Sequence, residues 1–376
     1  MTTMLAATGS AFDAFKGVIN ALCQPHWFLI IAVGALAVFL KGYRTFTKPK
    51  VAAVLGGMAV LFFIVSAMDA NFRLIITKAD NVPIVMMLFA VGFLLWLAFR
   101  QAAINDDRME RGEPLIEAGS DDKVLVWPDL VYVELIAIVI ATGLLVVWAI
   151  LLPAPLEQPA DPNVAPNPAK APWYFLGLQE MLVYFDPWLA GVVLPGLIVV
   201  GLIAVPYMDR NPRGNGYYTF AERPFAITTF MFGFVTLWVV LIIFGTFLRG
   251  PNWNFFGPYE YWDHNRPAAL LNVEFHDLAW VGMLKQPLPT EDWGFIPHYL
   301  IREMWGILLI SVYFVAGPAV LWVLFFRKLA RSLGIIRYSV MVTLLLVMLL
   351  IPIKMALRWT LNLHYIVGIT EWSLNV

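Results

Sequence analysis

Eight apolar runs, near residues 27–43, 51–68, 83–100, 130–152, 189–207, 225–248, 303–326 and 338–357, constrain this chain more than any other feature. Each is long enough to cross the roughly 30 Å hydrocarbon core of a bilayer. A segment in lipid finds no water for its backbone N–H and C=O groups, so only helices and closed barrels span membranes. The alternating pattern of barrel strands is not visible here. The expected fold is therefore all-α: a polytopic transmembrane helical bundle of about eight spans. With 60% hydrophobic and 14% charged residues and a mean hydropathy of +0.75, a soluble domain is excluded.

Charge between the runs predicts their direction. With the N-terminus outside, the inside connections hold Lys41, Arg44, Lys48 and Lys50, then Arg100, Arg108, Arg111 and Lys123, then Arg210, Arg213 and Arg223, then Arg327, Lys328, Arg331 and Arg337. These are 15 of the 25 basic residues, and the outside segments that share the rest are about twice as long. The expectation is a multi-pass protein of the cell inner (cytoplasmic) membrane with both termini outside. Residues 1–24 lack the charged start and cleavage site of a signal peptide and read as an interfacial segment.

Two long outside segments stand out. Residues 153–188 carry Pro153, Pro155, Pro159, Pro162, Pro166, Pro168, Pro172 and Pro187, which block continuous helix and favour an extended path. Residues 249–302 form an aromatic-rich loop with Trp253, Phe255, Phe256, Tyr259, Tyr261, Trp262, Trp280 and Trp293, a density suited to the headgroup layer or a partner surface. On the inside, residues 101–126 (Asp106, Asp107, Arg108, Glu110, Arg111, Glu113) read as a cytoplasmic linker. It would divide a three-helix region, 1–100, from the rest, which comprises 127–248, the aromatic loop and a two-helix region, 303–376. No internal repeat is evident.

Several chemistries are excluded or disfavoured. A lone Cys23 rules out an internal disulfide framework and cysteine-ligated zinc or iron–sulfur centres. The net charge of −1 gives no pull toward nucleic acid. Transporters usually place paired charges or broken helices at mid-membrane, and neither is seen. Glu134, near the inside end of the fourth run, reads as a snorkelling or capping residue, with a proton path as the alternative. Lys354 and Arg358, one turn apart near the outer end of the last run, would suit lipid headgroups or a partner carboxylate.

Four motifs then occur in order. Trp127-Pro128-Asp129-Leu130 precedes a span, and Ala160-Asp161-Pro162 opens the proline-rich loop. Ala171-Pro172-Trp173-Tyr174-Phe175-Leu176 follows, with a short amphipathic stretch ending near Phe185. Val205-Pro206-Tyr207-Met208-Asp209 ends the next span and Arg223-Pro224 starts another. From residue 127 to about 248 the chain resembles the C-terminal half of cytochrome b, in the split form called subunit IV of cytochrome b6f complexes. The segment at 171–176 stands where that family has its Pro-Glu-Trp-Tyr signature. Here the signature glutamate is replaced by Pro172, which cannot titrate, so Glu180, Asp186 or a partner residue would have to take its part.

The resemblance implies a bc-type quinol:cytochrome c oxidoreductase. A quinol head needs a flat apolar slot with one or two polar groups, near the membrane surface where protons can escape. Pro172, Trp173, Tyr174, Phe175, Leu178, Met181 and Phe185 would supply the quinone-binding slot. Tyr174 would supply a hydroxyl and Glu180 a proton acceptor as catalytic groups. Two plainer readings stand beside this: belt aromatics at 173–175, and a solvated Glu180.

Haem-bearing cytochrome b subunits carry paired axial histidines on two helices. His26, His264, His276, His298 and His364 all map to outside connections or span ends and offer no such pairs. The resemblance therefore implies no metal held by this chain and haem b in a partner cytochrome b subunit. Further partners would be a Rieske-type iron–sulfur protein, a c-type cytochrome and lipids. The alternative function is a structural membrane anchor of another respiratory or photosynthetic electron-transfer assembly.

Overall fold

The computed structural model describes the chain except residues 1, 120–122, 153–158, 160, 164, 215–217, 268–270 and 291–295; for residues 2–10 it describes the backbone alone. Pro153, Pro155, Ala160 and Trp293, which the sequence reading used, lie outside the described residues.

Each of the eight apolar runs forms a helix. After an N-terminal helix α1 (Thr2–Leu22) come the spans α2 (Pro25–Phe46) and α3 (Pro49–Ser66). A short α4 (Ala70–Thr77) leads to spans α5 (Val82–Glu110) and α6 (Val126–Leu151). The loop helix α7 (Leu176–Met181) is followed by spans α8 (Leu189–Met208), α9 (Pro224–Leu248), α10 (Met304–Leu333) and α11 (Ile335–Leu361). Proline stands in the first turn of α2, α3, α5 and α9, where its missing N–H leaves no helical bond unmade. Asp69 caps α4 by accepting from the backbone N–H groups of Asn71 (2.9 Å) and Phe72 (3.1 Å).

Helix α9 lies at the centre. On one side Met231 packs with Tyr43 of α2 and with Phe99 and Ala103 of α5. Toward its C-terminal end Val240, Leu241, Phe244 and Leu248 pack with Met181, Tyr184 and Phe185, and with Leu29 of α2, Leu194 of α8 and Met355 of α11. A separate cluster of Ala330, Leu333, Tyr338, Val342 and Leu346 joins α10 to α11. Helix α6 is different, because none of its residues from Val131 to Leu151 is buried. Glu134 stands exposed in the first turn of the α-helical part of α6, Val131–Leu151, where the helix dipole favours a negative charge.

The connections sort to two ends. At one end Asp106 accepts from the Tyr43 hydroxyl (2.7 Å) and the backbone N–H groups of Phe220 (3.1 Å) and Ala221 (3.2 Å), and Arg337 donates to the Tyr207 carbonyl (2.9 Å). At the other end the Tyr259 backbone N–H donates to Asn20 (3.1 Å), and Ser66 and Tyr259 share a hydroxyl hydrogen bond of 2.6 Å. The first group joins connections expected inside and the second joins those expected outside, as an alternating path requires.

The stretch expected as a linker begins differently. Helix α5 continues to Glu110, and Asp106 is 1% exposed. Its polar composition suggests a solvated connection, but three donors satisfy that carboxylate and turn the helix end into a clasp. Helices tend not to gain from apolar burial against one another in lipid, so such polar contacts at their ends help hold the bundle together.

Candidate functional site

The proline-rich loop is strapped to the end of α9 before it reaches the aromatic triplet. The side-chain amides of Asn167 and Asn252 pair (2.9 Å), and the Asn252 backbone N–H donates back to Asn167 (2.6 Å). Lys170 Nζ donates to the Thr246 carbonyl at 2.8 Å. Gln179 on α7 brackets the same stretch: its Oε1 accepts from Ala171 N–H and its Nε2 donates to the Ala169 carbonyl, both at 2.8 Å. A turn closed by Phe175 N–H on the Pro172 carbonyl (2.8 Å) then presents Trp173, Tyr174 and Phe175 outward. The Trp173 and Tyr174 rings meet edge to face at 5.7 Å, and those of Tyr174 and Phe175 lie 4.6 Å apart.

Behind this triplet α7 lies hard against α9. A Cβ on Gly245 would stand 2.9 Å from the Leu176 carbonyl oxygen, so only glycine permits the approach. The close packing buries Glu180 completely. Its carboxylate receives Arg249 in a two-pronged pair, Nε to Oε2 at 2.9 Å and Nη2 to Oε1 at 2.8 Å, and the Tyr184 hydroxyl donates to Oε1 at 3.0 Å. Burial opposes the Arg249 charge, but the adjacent carboxylate outweighs it and holds the guanidinium above its ordinary pKa. Burial likewise raises the Tyr184 hydroxyl well above the usual phenol value and keeps it a donor.

The expected site residues therefore divide into two layers. Pro172, Trp173, Tyr174 and Phe175 are exposed, and Leu178 is half-buried. Met181 and Phe185 are each 2% exposed and belong to the core under them. Glu180 is not the solvated end residue of the plainer reading. Asp186, the other carboxylate considered, accepts from Tyr365 Oη (3.3 Å), Asn375 Nδ2 (2.9 Å) and the Trp188 backbone N–H (3.3 Å). The sequence reading missed Arg249 and Lys170. A signal was available for Arg249, a guanidinium at the end of an apolar span on the face poorer in basic residues.

The aromatic loop is partly an internal element. Phe256, Tyr259 and Trp280 are buried, the Tyr259 ring stacks on Phe72 (5.4 Å), and Trp280 Nε1 donates to the Arg302 carbonyl (2.9 Å), whereas Tyr261 is exposed. Lys354 also departs from expectation. It is 0% exposed, out of reach of headgroups, with Nζ 5.9 Å from the Phe185 ring centre and 5.7 Å from that of Tyr365. A cavity of about 1170 Å3 lies among α2, α3, α4, α5 and the end of α9, and none of the triplet residues lines it. Its walls are apolar, so it lacks the polar groups that would orient a redox-active head.

Among the histidines, His364 Nδ1 lies 2.9 Å from Glu274 and His276 Nδ1 lies 2.7 Å from Glu303, which is 1% exposed. Glu303 also accepts from the Gly368 backbone N–H (3.1 Å), tying the start of α10 to a small hairpin of β1 (Gly368–Ile369) and β2 (Leu374–Asn375). Burial opposes the charge on His276, but the Glu303 hydrogen bond raises its pKa above 6.5. Burial likewise opposes the Glu303 charge, and the His276 hydrogen bond lowers its pKa below 4.5. The stability from His276 is complete below pH 6.5 and lost as pH rises through its folded-state value. That from Glu303 is complete above pH 4.5 and lost as pH falls through its own folded-state value. The melting-temperature gap between the native protein and His276→Gln is thus expected to be wide at pH 6 and to narrow by pH 8.5. A gap independent of pH would refute the charged pair.

Taken together, these features define a polytopic helical membrane protein with a rigidly backed aromatic loop at one end of its bundle. Residues 159–259, 101 of the 376, match the family model described as cytochrome b(C-terminal)/b6/petD. Over this stretch the chain is similar to the C-terminal domain of cytochrome b, a family found among the membrane components of bc-type electron-transfer complexes. The match starts after Trp127-Pro128-Asp129-Leu130 and runs past residue 248, so it takes in Arg249 as well as the proline-rich loop from Pro159 onward. No solved structure matches the chain.

Proposed function

We propose that this chain is a non-haem-ligating membrane subunit of a bc-type quinol:cytochrome c oxidoreductase, and that residues 172–185 form part of its outer quinol-oxidation site. The reading is supported above all by the exposed Trp173, Tyr174 and Phe175 held on a fixed backing inside the stretch similar to the cytochrome b C-terminal domain. The rings offer a flat apolar wall for a quinol head, and the Tyr174 hydroxyl orients it by hydrogen bonding. Glu180, paired with Arg249 beneath the wall, serves as a positioning residue that fixes α7. The charge bias between the spans supports an outer location in the cell inner membrane.

The haem b groups belong to a partner cytochrome b subunit on this reading, because the five histidines stand in connections or at span ends and form no axial pairs on two helices. The uncovered flank of α6 is the natural face for that subunit, with an iron–sulfur protein of the Rieske type and a c-type cytochrome meeting the loops above. Tyr174→Phe is expected to lower quinol oxidation by the purified complex about tenfold, the worth of one lost orienting hydrogen bond of about 1.4 kcal/mol. Trp173→Ala is expected to raise KM for quinol. Wild-type values for both variants in an intact complex would remove the site. They would favour the second reading, a membrane anchor that keeps the loop for packing, which Pro172 in place of a titratable residue also suits.

A further inference from the structure

We propose that Lys170 is the proton acceptor of this site, its amine held two residues before Pro172 by the Thr246 carbonyl and the Trp262 ring. The inference rests on the quinol reading above. It starts from a shortage of bases: Pro172 cannot titrate, Glu180 is closed by Arg249 and Tyr184, and Asp186 already accepts three hydrogen bonds. Lys170 lies two residues before Pro172, and Gln179 grips the backbone on both sides of it at 2.8 Å, so its stem is fixed relative to the rings.

The surroundings of the amine are built but incompletely used. Nζ donates to the Thr246 carbonyl at 2.8 Å and stands 4.9 Å from the Trp262 ring centre, a face that stabilises the ammonium once formed. Among the described residues, the buried Thr246 Oγ1 and Trp262 Nε1 have no hydrogen-bond partner. The residue whose carbonyl binds the amine and the indole that faces it thus each carry a buried polar atom without a partner, and buried polar groups of this kind ordinarily find partners. A quinol oxygen entering from the triplet would supply one.

The charged groups that act on the amine are Lys78, which follows α4, Glu180 on α7 and Arg249 at the end of α9. Burial, then Lys78, push the Lys170 pKa down; Glu180 opposes them and Arg249 adds to them, leaving it at about 7. A base is most effective when its pKa lies near the working pH. In the step itself a quinol O–H bond breaks, its oxygen keeps the bonding pair, and an N–H bond forms on the neutral amine. The electrons pass singly to iron acceptors in partner subunits. The ammonium returns its proton to surface water before accepting the second, and quinone leaves.

The test uses the native complex with Lys170→Arg, Lys170→Met and Tyr174→Phe. Arginine keeps the positive charge and can still donate to Thr246 but cannot act as a base, so a merely structural lysine would tolerate it. Turnover is expected to fall tenfold or more in both Lys170 variants, and the limb of the wild-type pH profile near pH 7 is expected to vanish. Wild-type turnover and pH profile in Lys170→Arg, with Tyr174→Phe impaired, would overturn the proposal and leave the quinol site standing. Wild-type behaviour in all three would overturn both. A second measurement needs no variant: acetic anhydride labelling of the wild-type complex across pH, read by mass spectrometry, should show half-maximal rate at Lys170 near pH 7. A midpoint near 10, like that of surface lysines, would refute the neutral amine.

Discussion

Arg249→Met is expected to destabilise the protein more than any other single substitution considered, by about 3–5 kcal/mol. The change leaves the Glu180 carboxylate, which is 0% exposed, with only the Tyr184 hydroxyl as a donor. A buried charge without its counter-ion retains the cost of leaving water and loses the attraction that offset it. The pair joins α7 to the end of α9, so its loss is expected to loosen the aromatic triplet as well. Thermal melting of the purified protein in detergent or nanodiscs reads the first effect. The double variant Glu180→Met, Arg249→Met should recover much of the loss, since it removes both charges. A melting temperature unchanged by Arg249→Met would mean that the pair is not buried as described.

Gly306→Ala ranks second. A Cβ at this position in α10 would stand 2.0 Å from the Ile366 carbonyl oxygen and 3.0 Å from the carbonyl carbon. Backbone lies on both sides of the contact, so a rotamer change cannot relieve it. The C-terminal segment must back away, straining the bond that Gly368 N–H donates to Glu303 (3.1 Å) and the one that Arg302 donates to the Gly368 carbonyl (3.0 Å). Overpacking of this kind costs about 1–3 kcal/mol or more. Alanine should favour the isolated helix by about 1 kcal/mol, so the sign of the change separates the two effects. The expected result is a lower melting temperature with faster proteolytic trimming after Leu361. A rise in melting temperature would show that the hairpin does not sit against α10.

The spans were legible because length and hydropathy nearly suffice to define a helix in lipid. The end of α5 was not, since the run from Gln101 to Glu110 loses its apolar character while the helix continues. What sustains it there is Asp106 binding the Tyr43 hydroxyl and two N–H groups near residue 220, contacts more than sixty residues away along the chain. The candidate site shows the same limit. Tyr174 and Met181 are both plausible slot residues by type, yet one is 51% exposed and the other 2%. The close approach of α7 to Gly245 decides which side of the segment is covered.

The amino-acid sequence alone determined the membrane-spanning character, the eight helices, the sorting of connections to two ends and the cytochrome b likeness of the proline-rich loop. Each of these follows from local composition or local motif, because bilayer thickness and backbone hydrogen bonding act on one segment at a time. Only the tertiary structure decided that Glu180 meets Arg249, that Lys354 is enclosed and that Lys170 stands between Thr246 and Trp262. Those outcomes depend on which residues distant in sequence are pressed together, and hydropathy or residue type does not encode such pairings.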